Sequence, residues 1–278
     1  MTRRTWFEPM PHGTLVTVGT SVAPRIRSPW TDTVDLGAQV RAASTALRSP
    51  RAMRRVLPAV RAHLGSAPAS TAYAFTLFVT WWTLRGVGAA VERRLILSAS
   101  TNLHNMRQNP VQVLVASAFW TEGGFPWITI AGFLTVMAAA ERWLGTARWI
   151  MLFATGHIGA TVLTVTGISQ AIDRGIIPVR VAMAADVGTS YGFTAVLAAM
   201  AFRFLGPVRW MWAVAIVVAV VVALWVDPTF TDYGHLCAAV IGLLVGGLAS
   251  AFWRRVERMR APGEGESGGA ETSGEEAN

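Results

Sequence analysis

The sequence predicts an all-α protein that crosses a membrane several times. Hydrophobic residues make up 53% of the 278 residues and charged residues only 14%, whereas soluble domains are about one quarter charged. The mean hydropathy of +0.42 agrees with this interpretation. The chain also contains 12 tryptophans, and tryptophan is enriched at membrane–water interfaces. We therefore expect a polytopic bundle of transmembrane helices.

Three regions are predicted from the change in composition along the chain. Residues 1–70 form a basic arm, residues 71–255 a membrane domain and residues 256–278 an acidic tail. The arm up to residue 48 is rich in Pro, Thr, Ser and Arg and shows no clear period, which predicts a mostly disordered segment. The last part of the tail, residues 261–278, is dominated by Gly, Ser and Glu and is expected to be disordered.

Residues 49–64 predict an amphipathic helix at the end of the arm. Ser49 suits the N-cap and Pro50 suits the first helical position. The apolar stripe comprises Met53, Val56, Leu57, Val60 and Leu64, and the basic residues outside it are Arg51, Arg54, Arg55 and Arg61. Such a helix fits the inner surface of a membrane, but it fits a solvated linker equally well, and both alternatives stay open.

Six transmembrane helices are predicted in the membrane domain. The apolar stretches cover residues 72–91, 127–140, 148–168, 183–204, 208–226 and 235–253. Residues 111–120 are apolar but too short to cross the hydrocarbon core, which needs about 20 residues. They are expected to be re-entrant or interfacial.

The distribution of arginine predicts how the membrane domain is oriented. Six spans place both termini on one side, and eleven arginines flank the spans on that side, against five on the other. Cytoplasmic loops carry the excess of basic residues. We therefore expect both termini in the cytoplasm and the protein in the plasma membrane.

Several classes of function are disfavoured by composition and motifs. The formal net charge of +8 does not indicate nucleic acid binding, because the arginines flank apolar spans. Cys237 is the single cysteine, which excludes a disulfide within the chain. No Walker, Rossmann or zinc motif occurs, so neither a metal ion nor a cofactor is expected. The expected partners are the lipid bilayer and transmembrane protein substrates.

Two polar residues inside the predicted spans are the main functional candidates, since polar groups are costly in a membrane. Ser190 and His235 each lie near the outer end of a span, so they share a depth. Small residues predict that these two helices approach closely; they are Gly188, Gly192, Ala238, Gly242 and Gly246. His235 could then act as the base that makes the Ser190 hydroxyl nucleophilic.

The backbone around Ser190 is the predicted oxyanion and substrate site. Gly188 would leave room for a substrate carbonyl, and amides near the helix start, in the stretch Thr189 to Tyr191, could stabilise an oxyanion. The structural alternatives are that Ser190 bonds the carbonyl four residues before it and that His235 only packs.

Other polar residues are interpreted as structural. His157 is expected to bond a neighbouring helix. Glu141, which precedes Gly145, is expected to cap a helix or to pair with Arg142 or Arg148. Asp186 is expected to bond loop amides or Tyr191.

The motifs that carry these residues resemble those of the rhomboid superfamily of intramembrane serine proteases. Gly188-Thr189-Ser190 is similar to the start of the family's Gly-x-Ser-Gly motif. His235 and Gly242 match its His-x-x-Gly-x-x-x-Gly motif, with Ala238 in place of the first glycine. Glu141 and Gly145 match its Glu-x-x-x-Gly junction. The resemblance covers residues 111–250 and implies a six-helix core and a Ser190–His235 dyad.

The sequence also departs from the family pattern. Tyr191 stands where the family has glycine, and the second-span positions of the family's His and Asn hold other residues, Phe125 and Thr129. The loop-one Trp-Arg signature is absent, and that region reads NPVQV. The chain thus resembles a divergent, actinobacterial branch. Two functions follow: a peptidase that cleaves transmembrane substrates, or an inactive relative that binds membrane helices or partner proteins.

Reporter domains fused after residues 30 and 270 test the predicted orientation. We expect a fluorescent protein to fold at both positions, because the arginine bias retains both termini in the cytoplasm. Alkaline phosphatase fused after residue 176, in a predicted outer loop, serves as the control and should be active. Loss of fluorescence at position 30 or 270, together with activity of a phosphatase fused at the same position, would contradict the topology.

Overall fold

A computed structural model describes residues 28–48, 52–121, 124–226 and 229–260. The predicted N-cap Ser49, the predicted first-turn Pro50 and the tail over residues 261–278 lie outside these ranges.

The described residues form helices joined by loops. In chain order the helices are α1 (Leu36–Leu47), α2 (Ala52–Gly65), α3 (Pro68–Leu84), α4 (Ala89–Ala99), α5 (Leu103–Gln108), α6 (Pro110–Phe119), α7 (Trp127–Gly132), α8 (Ala138–Leu144), α9 (Thr146–Asp173), α10 (Ser190–Met200), α11 (Gly206–Val226) and α12 (Phe230–Arg260). A π-helical stretch, Phe133–Met137, makes α7 continuous with α8, and 3₁₀ turns cover Val179–Met183 and Ala201–Arg203. Because no β-strand occurs in these ranges, the predicted all-α fold is confirmed.

Three helices of the described chain, α9, α11 and α12, are long and apolar enough to cross a membrane. The other three predicted spans correspond to shorter helical segments: α3, the continuous α7–α8 segment, and α10 with the 3₁₀ turn that follows it. The fourth pass begins at Ser190 and not at residue 183, because residues 184–189 form a loop in which Gly188 has a φ of +136°. Short passes are accommodated where neighbouring helices cover them.

Glu141 fixes the turn between α8 and α9 against the start of α3. Its buried carboxylate accepts hydrogen bonds from the amides of Ala69 (3.0 Å) and Ser70 (2.7 Å) and from the Thr146 hydroxyl (2.8 Å). The first amides of a helix have no partner within it, and the helix dipole favours a negative charge there. Glu141 therefore caps α3 from another helix, and Gly145, with a φ of +85°, makes the turn.

The bundle has two ends, which we name for what lies at each. The site end holds the first residues of α10 and α12, and the arm end holds the first residues of α3 and the last turns of α12. An N-terminal segment packs across the arm end: the Val34 amide donates to the Arg203 carbonyl (2.7 Å), and the Ser250 hydroxyl donates to the Trp30 carbonyl (3.1 Å). Trp30 is 9% exposed and belongs to the hydrophobic core.

Residues 28–48 therefore carry structure where the sequence predicts mostly disorder. The start of α1 has a local signal, since the Asp35 carboxylate accepts a hydrogen bond from the Ala38 amide (2.8 Å) in the manner of an N-cap. The docking of Trp30 on α12 has no local signal, because the Ser250 hydroxyl that donates to its carbonyl lies 220 positions away along the chain.

Candidate functional site

The close packing of α10 against α9 and α12 positions the candidate site. A Cβ added to Gly242 would overlap the Ala195 carbonyl of α10, and one added to Gly246 would lie 2.9 Å from the Ala199 Cα. Ala238 is fully buried in the same contact. On the other side of α10, a Cβ added to Gly192 would lie 2.7 Å from the Phe153 ring of α9. Gly242 and Gly246 thus face α10, whereas Gly192 faces α9.

These contacts also define the register of the two helices. Ala195 lies opposite Gly242 and Ala199 opposite Gly246, so both pairs are 47 positions apart and the helices run parallel. The same offset places Ser190 level with Cys237, two residues beyond His235. At a rise of about 1.5 Å per residue, Ser190 and His235 lie within about 3 Å of one level along the axis.

Although Ser190 and His235 lie at nearly the same level along the helix axes, the Ser190 hydroxyl does not face the His235 imidazole. The row of α10 that faces α12 contains Tyr191, Ala195 and Ala199, at intervals of four residues. Ser190 lies about 100° around the helix from Tyr191, and it is exposed. Among the residues that the structure describes, no hydrogen bond joins Ser190 to His235. The dyad stays a prediction.

Tyr191 occupies the space between the two helices at the level of His235. Its side chain is 3% exposed, and its ring centroid lies 5.3 Å from that of His235, at an interplanar angle of 79°. The ring also lies on Gly234, where an added Cβ would overlap the phenol. Edge-to-face contacts of this kind are favourable between aromatic rings. Tyr191 is therefore a residue of α10 that packs directly against His235.

The hydroxyl of Tyr191 is tied to a buried acid in the preceding loop. It donates to the Asp186 carboxylate (3.1 Å to Oδ2), which also accepts from the Thr101 hydroxyl (2.8 Å). The Thr101 amide donates to the Asp186 backbone carbonyl (2.8 Å). Asp186 thus joins the loop before α10, the loop between α4 and α5, and the tyrosine that contacts His235.

Gly188 and Thr189 complete the turn that leads into α10. The φ of +136° at Gly188 favours glycine, while the space around an added Cβ would be open. The Gly188 amide donates to the Ser117 carbonyl of α6 (2.8 Å), so that amide is already engaged. Thr189 is 3% exposed, and its carbonyl accepts from the Phe193 amide (3.0 Å). First-turn amides such as that of Tyr191 have no partner within the helix.

His235 is half-buried in the first turns of α12. Its Nδ1 lies 3.9 Å from an Asp232 carboxylate oxygen, one turn earlier. That carboxylate also accepts from the Thr229 amide (2.9 Å) and hydroxyl (2.6 Å). Asp232 thus connects the first turn of α12 to Thr229, and its carboxylate lies beside His235.

A second histidine holds α6, the short helix predicted as re-entrant or interfacial. The Nε2 of His157, on α9, lies 3.1 Å from the Leu114 carbonyl and 3.2 Å from the Ser117 hydroxyl. The Tyr73 hydroxyl donates to the Ala118 carbonyl of the same helix. Because Ser117 also accepts from Gly188, α6 supports the loop before α10.

Sequence reasoning did not single out Thr101 or Ser117. Thr101 is 3% exposed and Ser117 is fully buried. In the sequence, however, Thr101 lies in a stretch with the composition of an ordinary polar loop, and Ser117 lies in an ordinary apolar helix. Their roles depend on contacts with residues 85 and 71 positions away. The one local signal is the N-cap of α5, where the Asn102 side chain accepts from the Asn105 amide (2.9 Å).

The fold defines an all-α integral membrane protein with its polar candidates gathered at one end of the bundle. The family model described as rhomboid-like protein matches residues 62–253, well over half of the chain. The chain therefore belongs to the rhomboid-like protein family. No curated protein and no solved structure matches it.

The contact of Gly242 with α10 can be tested by adding one methyl group. Gly242→Ala should destabilise the protein by about 1–3 kcal/mol, because the new Cβ would collide with the Ala195 carbonyl. Gly167→Ala, on an exposed face of α9 with open space around its Cβ, is the matched control. It should be neutral or slightly stabilising. Thermal unfolding in detergent measures both, and equal midpoints would contradict the packing.

Proposed function

We propose that this rhomboid-like membrane protein binds transmembrane helices of partner proteins without cleaving them. The observation that carries the proposal is that the Tyr191 ring packs against His235, while no hydrogen bond joins Ser190 to His235 among the described residues. A serine nucleophile needs its base within hydrogen-bonding distance, about 2.6–3.2 Å. Here the phenol ring packs edge-on against that base, and Ser190 lies about 100° around α10 from Tyr191.

Moving Ser190 toward His235 would require α10 to turn by about 100°. The turn would separate the Tyr191 hydroxyl from Asp186 and expose a ring that is 3% accessible. It would also move Ala195 away from Gly242. Since α10 is held by all three contacts, such a turn is disfavoured.

A cavity beside the site could accept a partner helix. It has a volume of about 640 Å³ and lies between the end of α9, the loop over residues 176–181 and the first turns of α12. Its wall is mainly apolar and includes Leu163, Ile168, Pro178, Phe230, Tyr233 and Cys237. Because α9 and α12 are apolar enough to span a membrane, a bound segment would have to be apolar too, which fits a transmembrane helix.

The second candidate is the intramembrane serine peptidase predicted from the motifs. It is favoured by the register, which places Ser190 and His235 at one level, and by the accessibility of both side chains. The dyad would require α10 to rearrange when substrate binds. Ser190 would then attack the substrate carbonyl, with His235 as the base.

A fluorophosphonate probe separates the two candidates. We expect the purified protein in detergent not to be labelled, because the Ser190 hydroxyl lacks a base in contact with it. A soluble serine hydrolase added to the same sample serves as the positive control. Labelling that is lost in both Ser190→Ala and His235→Ala, but kept in the exposed-serine control Ser98→Ala, would establish the peptidase and overturn the proposal.

Filling the cavity tests helix binding directly. Gly167 lines the cavity and has open space around its Cβ, so Gly167→Trp should fold and reduce the volume. We expect energy transfer from the labelled protein to a single-span apolar peptide in vesicles to fall at least several-fold. Val218→Trp, on the exposed face of α11, is the matched control and should bind as the wild type does. Unchanged transfer in Gly167→Trp would contradict binding in this cavity.

A further inference from the structure

Helix α2 has an apolar stripe that the described residues leave exposed. Val56 is 41% exposed, Leu57 58% and Val60 46%, and these residues lie along one side of the helix. The stripe stands directly before the first span, since the backbone continues through the buried Ala67 into α3. A surface of this kind at the boundary of a membrane domain is typical of a helix that lies in the lipid interface.

All charged residues of α2 are basic. The helix contains no acidic residue, and the side chains of Arg54 and Arg61 are exposed. Arg61 follows Leu57 by four residues, so it lies about 40° around the helix from it. Arg54 precedes Leu57 by three residues and lies about 60° from it on the same side. Both arginines thus lie beside the Leu57 edge of the apolar stripe, in the arrangement that lets an arginine reach lipid headgroups while the stripe enters the acyl region.

A hydrogen bond holds the end of α2 against the second predicted span. The Nε2 of His63 lies 3.2 Å from the Leu134 carbonyl, and this ring nitrogen carries the proton because a carbonyl can only accept. Leu134 lies in the π-helical stretch, seven residues before Glu141. It is therefore about 10 Å along the axis from the turn that caps α3. The end of α2 lies beside the second span and not beyond it.

We propose that α2 is a binding site for anionic phospholipids at the arm end of the bundle. Arg54 and Arg61 bind the headgroup phosphates, and Val56, Leu57 and Val60 enter the acyl boundary. The solvated-linker alternative would leave the apolar stripe in water and would not explain why His63 is bonded to the second predicted span. The inference is independent of the proposed function, because it concerns the opposite end of the bundle.

The full-length protein in nanodiscs provides the test. A bimane fluorophore is attached to a cysteine introduced by Val60→Cys in a Cys237→Ser background. The bilayers contain phosphatidylglycerol and phosphatidylcholine. In each sample only one of the two lipids is brominated. The ratio of quenching by the two brominated lipids reports the local enrichment of phosphatidylglycerol. The same label through Val217→Cys, on the exposed face of α11, reports the average bilayer.

We expect phosphatidylglycerol to be enriched at position 60 relative to position 217, by roughly fivefold for each arginine. Arg54→Gln with Arg61→Gln should abolish the enrichment, and high salt should weaken it. Arg174→Gln with Arg180→Gln, at exposed positions of the site end, removes the same charge and should leave the enrichment unchanged.

Three results would overturn the proposal. The first is equal enrichment at positions 60 and 217, and the second is absence of quenching at position 60, which would place α2 in water. The third is loss of the enrichment when inorganic phosphate is added at constant ionic strength, since this would assign the arginines to a free anion.

Discussion

The position of Ala195 between two glycines is the constraint on which the rest of the site depends. A Cβ on Gly156 of α9 would collide with the Ala195 methyl group, and a Cβ on Gly242 of α12 would collide with its carbonyl. Helices in lipid gain little from the hydrophobic effect when they associate, so close packing of small residues largely holds them together. Contacts on both sides leave α10 with one rotation about its axis.

That rotation decides which side chain meets His235. Tyr191 lies one turn before Ala195 on the same row, and it is therefore carried onto Gly234 and His235. Ser190 begins the helix on another face and stays exposed. The polar contacts at the site end thus follow from apolar packing deeper in the bundle. Tyr191 stands where the superfamily has glycine, and it lies beside His235.

The loops at the site end are held by polar contacts with sequence-distant elements. Asp186 joins Thr101 to Tyr191, and Ser117 joins α6 to Gly188. At the arm end Glu141 has the same function for α3 and α9. Buried polar groups in a low-dielectric interior are stable when they are paired, so these contacts give the loops a defined geometry without a large core of their own.

The class of the protein and its family could be predicted from the sequence. The length of the apolar stretches and the spacing of Gly188, Ser190, His235 and Gly242 are local patterns, and such patterns can be recognised without knowledge of packing. The sequence also indicated that Glu141 is structural and that small residues join the helices of Ser190 and His235. It did not indicate the docking of Trp30, the roles of Thr101 and Ser117, or the side of α10 that faces α12. These features depend on contacts between segments that are distant in the sequence. The rotation of α10, for example, is set by Gly156 and Gly242, which lie on other helices, so residues 186–200 alone do not indicate it.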